Sequence, residues 1–423
     1  MVLVGNPASP YSRSLRIGRA LAAEGYEVEI AAITGAGVPD REDGGTVCVR
    51  RYRPSGFFAR MAATYQVPVE ERVGAAAARR GAMPVRVARA MAGRFWRWVF
   101  WPHTVRGWWR TLARELPPAD LYHACGSLTI GAALAARRRD ARAGRRSVVI
   151  YDVIDIVMES NNVLGFPGLV RRWLSWRERR WARASDAIVS VNEPFADRVV
   201  ARMRPRVRPV VVPNYPEPWT SPAGTPDLIR TELGLPASTR IVLFQGRLGP
   251  NLGLDESAEA ILLVPDAVLV LIGFGRWFDL CRARDRDPRL AGRHFTLPAR
   301  HPDELLGWTA SADVALIPLP AISYNQRFTT PNKFLEAMAA GTPIVLGPNL
   351  PTMEAMLQRH DLGRVARSLG PADLAAAIRA LLDRPDTVRA DERDRIRALA
   401  AERFTWPVAA HVYGELVRSL ADG

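Results

Sequence analysis

Lysine is almost missing: of 58 basic residues only Lys333 is a lysine, so the other 57 positive side chains are arginines. A bias of that size reflects base composition, and it singles out the one ammonium that was kept. Cysteine is scarce as well. Cys48, Cys125 and Cys281 are far apart, with no Cys-x-x-Cys pair and no Cys/His cluster, which excludes a disulfide framework or a zinc site read from spacing and predicts a reducing compartment. Long apolar runs are absent too: no stretch of 18 residues lacks a charge, and residues 1–8 read as a strand rather than a basic and then apolar leader. The chain is therefore expected to be neither secreted nor membrane-spanning. Tandem repeats and low-complexity segments beyond short Ala/Arg runs are missing, which excludes a repeat array.

What is present is an average globular composition, with 423 residues, 48% hydrophobic and 24% charged. That length holds roughly two or three domains. The net charge of +15 favours acidic partners, and the excess is local. Fourteen arginines fall within residues 50–115 against Glu70, Glu71 and Glu115, and five of the 12 tryptophans fall within 96–109. Arginine interleaved with Trp96, Trp98, Trp101, Trp108 and Trp109 suits an anionic membrane interface, with ordinary core packing as the alternative. Nucleic acid is not expected, because no recognition fold accompanies the charge.

Along the chain, Val2–Gly5 reads as a buried strand, a helix follows with Leu15, Gly18 and Leu21 on one face, and Val28, Ile30 and Ala32 alternate as a second strand. This β-α-β unit predicts a parallel sheet. Apolar runs at 120–123, 147–154, 186–191 and 209–213 continue the alternation. Three prolines in Pro213–Pro218 exclude a helix or paired strand, and a domain boundary is placed there. Strands at 241–244, 268–272, 294–297, 313–317 and 343–346 then alternate with helices near 254–263, 302–310 and 331–340. The expected fold is α/β, with two doubly wound Rossmann-like domains facing a cleft: residues 1–214, residues 215–405, and a last helix at 406–423 that returns to the first domain. Ligands of such folds bind at the carboxyl ends of the strands.

The most informative stretch is Thr330-Pro331-Asn332-Lys333-Phe334-Leu335-Glu336-Ala337-Met338-Ala339-Ala340-Gly341. Thr330 and Pro331 predict a helix start with proline at the first helical position, and Gly341 predicts its stop. Lys333 then lies in the first turn, where the helix dipole disfavours a cation unless an anion is bound there. Glu336, one turn on in an apolar run, could accept hydrogen bonds from hydroxyl groups. A Lys333–Glu336 pair on a solvated face is the plainer alternative.

The run Pro-Asn-Lys-Phe-Leu-Glu-Ala-Met-Ala-Ala-Gly-Thr-Pro-Ile-Val resembles the donor-binding signature of retaining GT-B glycosyltransferases, the large family-four group of polysaccharide and glycolipid transferases. Gly5-Asn6-Pro7 through Val28, Ala184–Asn192, Val211–Asn214, Gly246-Arg247-Leu248, Leu271–Gly275 and Ala312–Pro318 resemble the other family segments in the same order. The resemblance implies transfer of a sugar from a nucleoside diphosphate sugar with retention at the anomeric carbon, in envelope glycan or glycolipid synthesis. It implies a donor site at Gly246, Arg247, Gly273, Gly275, Phe328, Asn332, Lys333 and Glu336. Arg247 and Lys333 would neutralise the diphosphate and Glu336 would bind ribose hydroxyls. No metal is implied, and no cofactor, since the nucleotide-sugar is a substrate. Three positions depart from the family: Phe328 replaces a glutamate, Leu252 a basic residue, and no histidine follows the strand at 147–151, where Tyr151-Asp152-Val153-Ile154-Asp155 stands. Asp152, Asp155 and His123 are the candidate polar groups near the reacting carbon. A non-catalytic GT-B-like binding protein and a nucleotide-sugar epimerase are the alternatives. The expected partners are the nucleotide-sugar and a glycan or lipid-linked acceptor, and the expected location is the cytoplasm, with attachment to the inner face of the cell membrane.

Overall fold

A computed structural model describes residues 1–8, 12–35, 37–53, 106–160, 163, 166–221 and 227–422. Its first half is a sheet of eight strands: β1 (Val2–Val4), β2 (Val28–Ile33), β3 (Arg41–Asp43), β4 (Val47–Tyr52), β5 (Leu121–Cys125), β6 (Val148–Val153), β7 (Ala187–Ser190) and β8 (Val210–Val211), in the order 3-4-2-1-5-6-7-8. Its second half is a sheet of six: β9 (Arg240–Arg247), β10 (Ala267–Phe274), β11 (His294–Pro298), β12 (Val314–Ile317), β13 (Ile344–Leu346) and β14 (Gly363–Val365), in the order 11-10-9-12-13-14. The strands of the second sheet all run parallel, and β10, β12, β13 and the centre of β9 are apolar, as strands covered by helices on both faces must be.

Strands β3, β4 and β14 were not expected. β3 pairs antiparallel with β4 at the edge of the first sheet, so part of the arginine-rich stretch is strand. Arg51 is buried there, donates to the Pro7 carbonyl at 2.8 Å and the Pro39 carbonyl at 2.5 Å, and pairs with Glu42 at 3.1 Å. The expected membrane contact of Trp96, Trp98 and Trp101 lies outside the described residues. Within them, Trp108 is buried in the first domain's core, while Arg106 and Arg110 are exposed.

Strand order reverses between β1 and β5 in the first sheet and between β9 and β12 in the second. In doubly wound folds ligands bind at the carboxyl end of such a reversal. Residues 324–330 of the second half bridge to the first. Asn192 Nδ2 donates to the Phe328 carbonyl at 2.8 Å and to Thr330 Oγ1 at 3.0 Å, and the Tyr324 hydroxyl donates to the Pro194 carbonyl at 2.9 Å. Asn325 Nδ2 donates to the Ile156 carbonyl at 3.2 Å. This contact holds the entry of the helix Asn332–Ala340 against the first sheet.

The chain returns after Phe404. The last helix, Trp406–Ala421, presents Trp406, Ala409, Tyr413 and Val417 to a core cluster that contains Val2, Ile17, Leu21, Ile30 and Ile150. Trp406 N donates to the Pro216 carbonyl at 2.7 Å, beside the outgoing crossing, where Tyr215 meets Phe404 edge-on at 5.5 Å. Truncating Trp406 to Ala should therefore cost about 3 to 5 kcal/mol, the range for a buried large aromatic. Urea unfolding followed by circular dichroism checks this, and an unchanged midpoint would contradict it.

Candidate active site

β9 ends in Gln245-Gly246-Arg247, in register with Gly273 and Phe274 of β10. Glycine is required on both strands. Gly246 has φ +113°, and a Cβ on Gly273 would lie 1.9 Å from the Gly246 carbonyl oxygen. Gly275, at φ +127°, would bring a Cβ within 2.5 Å of the Leu248 carbonyl oxygen. The paired turns thus leave bare backbone at the carboxyl edge of the sheet, beside the point of strand reversal.

Lys333 faces that turn. Its Nζ stands 3.6 Å from the centre of the Phe244 ring and would be 3.8 Å from a Cβ on Gly246. Burial pushes its pKa down to about 7, with Arg247 acting in the same direction and Glu336 opposing. The helix that carries it begins at Asn332. Pro331 is extended, with ψ 152°, so the proline precedes the helix instead of opening it, and Lys333 is still in the first turn. Glu336, one turn on, is raised by burial, an effect opposed by the Gln245 hydrogen bond, Arg16 and Lys333.

Two residues of this site were not anticipated from sequence. Gln245 Nε2 donates to Glu336 Oε2 at 2.6 Å, and its Oε1 accepts from Thr309 Oγ1 at 2.7 Å, which fixes the amide orientation. A polar residue closing the apolar run Ile241–Phe244 was the available signal. Arg16, from the first domain, donates to Asn214 Oδ1 at 3.1 Å and lies close enough to Glu336 to lower its pKa. Asn214 Nδ2 in turn donates to Asn332 Oδ1 at 2.7 Å, so Asn332 sits on the seam between the halves. Arg247 is exposed at the rim.

Other sequence candidates fall elsewhere. The Phe328 ring stacks on Tyr324 at 4.4 Å, and both pack against the first domain's core cluster, so its aromatic face serves the contact between domains. Leu252 is buried in the second core, which accounts for an apolar side chain there. Ile154 is half-buried against the first core. Asp155 follows β6, is exposed, and accepts from Asn325 Nδ2 at 3.4 Å; protein packed around it raises its pKa by desolvation.

His123 and Asp152 do not reach the cleft surface, since both are fully buried. Arg13 grips Asp152 with two bonds, Nε to Oδ2 at 2.7 Å and Nη2 to Oδ1 at 2.8 Å, and donates a third to the Val212 carbonyl. Burial alone would raise Asp152, yet the Arg13 charge and the bonds from His123 and Arg13 hold it at about 2. His123 Nε2 lies 3.3 Å from Asp152 Oδ2, and its Nδ1 lies 2.9 Å from the Tyr413 hydroxyl. Burial depresses the imidazole below its ordinary value despite Asp152. The neutral tautomer with hydrogen on Nε2 satisfies every partner: it donates to the carboxylate and accepts the Tyr413 hydroxyl. Among the described residues, His123, Cys125 and Asp152 are close enough to hold a metal ion, but Arg13 already occupies both Asp152 oxygens and would repel a cation. These groups fit a positioning network and not a metal site.

The family model for Glycosyl transferase 4-like domain matches residues 12–215, and that for Glycosyl transferases group 1 matches residues 239–384. The chain belongs to these glycosyltransferases and has the GT-B fold. It is similar to the D-inositol 3-phosphate glycosyltransferase of Corynebacterium aurimucosum, 31% identical over 43% of this chain and 43% of that protein. It is also similar to that of Streptomyces bingchenggensis, 28% identical over 57% of this chain and 55% of that protein. The matched stretch thus spans about half the length of these relatives. Among solved structures it resembles a sucrose-phosphate synthase from Thermosynechococcus elongatus, with TM-score 0.69 and 18% identity over 100% of this chain and 98% of that one. HepE from Anabaena, solved with UDP and glucose, gives TM-score 0.63 and 15% identity over 99% and 98%.

Replacing Arg13 by Met would strand Asp152 as an unpaired buried charge and should cost about 3 to 5 kcal/mol. The double change Arg13→Met with Asp152→Leu should recover much of that loss. Urea melts of the two variants check this, and equal midpoints for both would contradict it.

Proposed function

We propose that this chain transfers a sugar from a nucleoside diphosphate sugar to an acceptor held by the first domain, with retention at the anomeric carbon. The observation that carries the reading is Lys333, a cation with no anionic contact partner among the described residues, facing the bare glycine turn of β9 and β10. The departing diphosphate gains negative charge as the glycosidic bond breaks, and a cation already in place stabilises that charge without reorganising. Arg247 at the rim adds a second charge, and the first amides of the helix Asn332–Ala340 add donors. Glu336, steadied by Gln245, is a half-buried acceptor suited to ribose hydroxyls. Asp155 is the exposed carboxylate next to the cleft and the better candidate for contact with the reacting sugar or acceptor, whereas Asp152 and His123 hold Arg13 and the strand ends in place.

Fold neighbours were solved in complex with UDP and with UDP-glucose, which makes uridine nucleotides the first ligands to try. The relatives' names make a phosphorylated polyol the first soluble acceptor, and a glycan or lipid-linked acceptor of envelope synthesis is the companion arm. Product analysis with and without acceptor separates this reading from an epimerase, which would turn over donor alone, and from a non-catalytic binder, which would turn over neither.

Lys333→Ala should weaken nucleoside diphosphate binding by about 1.5 to 3 kcal/mol, the scale of a hydrogen bond to a charged group. Glu336→Gln should weaken nucleotide binding with the fold intact. Calorimetry showing wild-type affinity in both variants would sink the assignment.

The pH dependence has a definite sign. In the free site Lys333 is charged below about 7 and neutral above it, while a bound diphosphate favours the charged form. Binding above that pH must take up a proton, so affinity should fall as pH rises from 6 to 8. Lys333→Ala should lack that component when the two proteins are titrated side by side.

A further inference from the structure

The helix Gly168–Ala184 leaves β6 through the loop that carries Asp155 and leads into β7. Its inner side packs on the helices Ile130–Arg142 and Glu193–Met203 and on the turn Val157–Glu159. Its outer side is unusual for a surface helix. Leu169 is 80% exposed, Trp173 43% and Trp176 52%, and these three recur at helical spacing. Arg172, Arg179, Arg180 and Arg183 share the exposed side. The one acidic residue of the helix, Glu178, is buried on the opposite side, so no carboxylate of this helix interrupts the outer surface.

The aromatic rings are held in order by the arginines. Arg177 lies 4.7 Å from the centres of the Trp173 and Trp181 rings and 5.2 Å from that of Trp109, and Arg180 lies 5.3 Å from that of Trp176. Trp109 meets Trp181 edge-on and donates from Nε1 to the Leu128 carbonyl at 2.5 Å. Arg106 and Arg110, exposed on the neighbouring helix over 106–115, extend the positive charge.

We infer that the outer side of Gly168–Ala184 is a docking surface for an anionic lipid bilayer. Indole rings favour the headgroup level, a leucine inserts among acyl chains, and guanidinium groups pair with lipid phosphates. Charge complementarity selects this occupant, because a face of arginine, tryptophan and leucine without a carboxylate offers an ordinary protein surface no counter-charges to meet. Among the described residues no helix is long and apolar enough to cross a membrane, so the helix would lie along the surface. β6 and β7 are parallel, hence the helix between them runs back from the cleft edge and its amino end, with Leu169, Arg172 and Trp173, is nearest Asp155. A lipid-borne acceptor would then arrive at the cleft mouth, a consequence that rests on the transferase reading, whereas lipid binding itself does not.

Liposome flotation of the full chain tests the inference, with phosphatidylcholine vesicles and with phosphatidylglycerol-containing vesicles at low and high salt. The wild-type protein should float with anionic vesicles at low salt, and should stay below with neutral vesicles or at high salt, where surface attraction is screened. Leu169→Ser with Trp176→Ser removes insertion, and Arg172→Glu with Arg183→Glu reverses charge. The first should abolish flotation, and the second should lower partition by at least roughly 25-fold, at about fivefold per arginine. All four side chains are exposed, so circular dichroism and nucleotide affinity should match wild type and show that the fold is retained. Wild-type protein that fails to float with anionic vesicles at low salt would overturn the inference, and so would variants that float as wild type does. Because nucleotide affinity is read separately, failure of lipid docking is distinguishable from failure of the transferase reading.

Discussion

An ammonium group held against an aromatic ring, with no carboxylate among the described residues in contact, is the constraint around which the second domain is arranged. Lys333 sits over Phe244 and faces Gly246, and desolvation there brings its proton affinity close to neutrality. Each surrounding feature has a physical reason to be there. Gly246, Gly273 and Gly275 clear the space, because a Cβ on either of the last two would strike backbone oxygen within 2.5 Å. Gln245 takes up the hydrogen-bonding capacity of Glu336, and Thr309 locks Gln245, so the carboxylate is steadied without neutralising the lysine directly. This is the arrangement that the proposed diphosphate contact would relieve.

At the carboxyl ends of β5 and β6 the first domain shows the opposite arrangement, in which buried charge is paired. Arg13, Asp152, His123 and Tyr413 form one chain of hydrogen bonds, and its last member comes from the final helix of the protein. Tyr413 and His123 are 290 positions apart in sequence, so the returning helix is fastened by polar contact as well as by Trp406 and Val417. Such a network fixes the carboxyl ends of β5 and β6, the strands that lead to the Asp155 side of the cleft. Contacts from Asn192 and Pro194 to residues 324–330 then set the second domain's helix entry against this fixed edge.

The alternation of the two sheets was legible because covered parallel strands must be apolar runs, and those runs were bounded by glycine and proline. The hairpin of β3 and β4 was not, since the edge strand β3, Arg41-Glu42-Asp43, carries the polar composition of a loop, and burial of Arg51 in β4 depends on carbonyls supplied by Pro7 and Pro39. Lys333 and Glu336 stood out through spacing and through the scarcity of lysine. Gln245 and Arg16 did not, because their roles arise from register and from the approach of the two domains. His123 and Asp152 were legible as polar groups at strand ends, but only the partners Arg13 and Tyr413 reveal that they are turned inward. The exposed side of Gly168–Ala184 was likewise hidden, since sequence cannot say which tryptophans a core absorbs.

Because the chain contains one lysine, its side-chain amine gives one resonance, and a carbon-13 label on lysine makes Lys333 directly observable. The most direct test is a nuclear magnetic resonance titration of that signal with and without a saturating nucleoside diphosphate. The account predicts a pKa near 7 in the free protein and a marked rise when the nucleotide is bound. A free-protein value near the ordinary 10.5, or a titration that the nucleotide leaves unmoved, would contradict it.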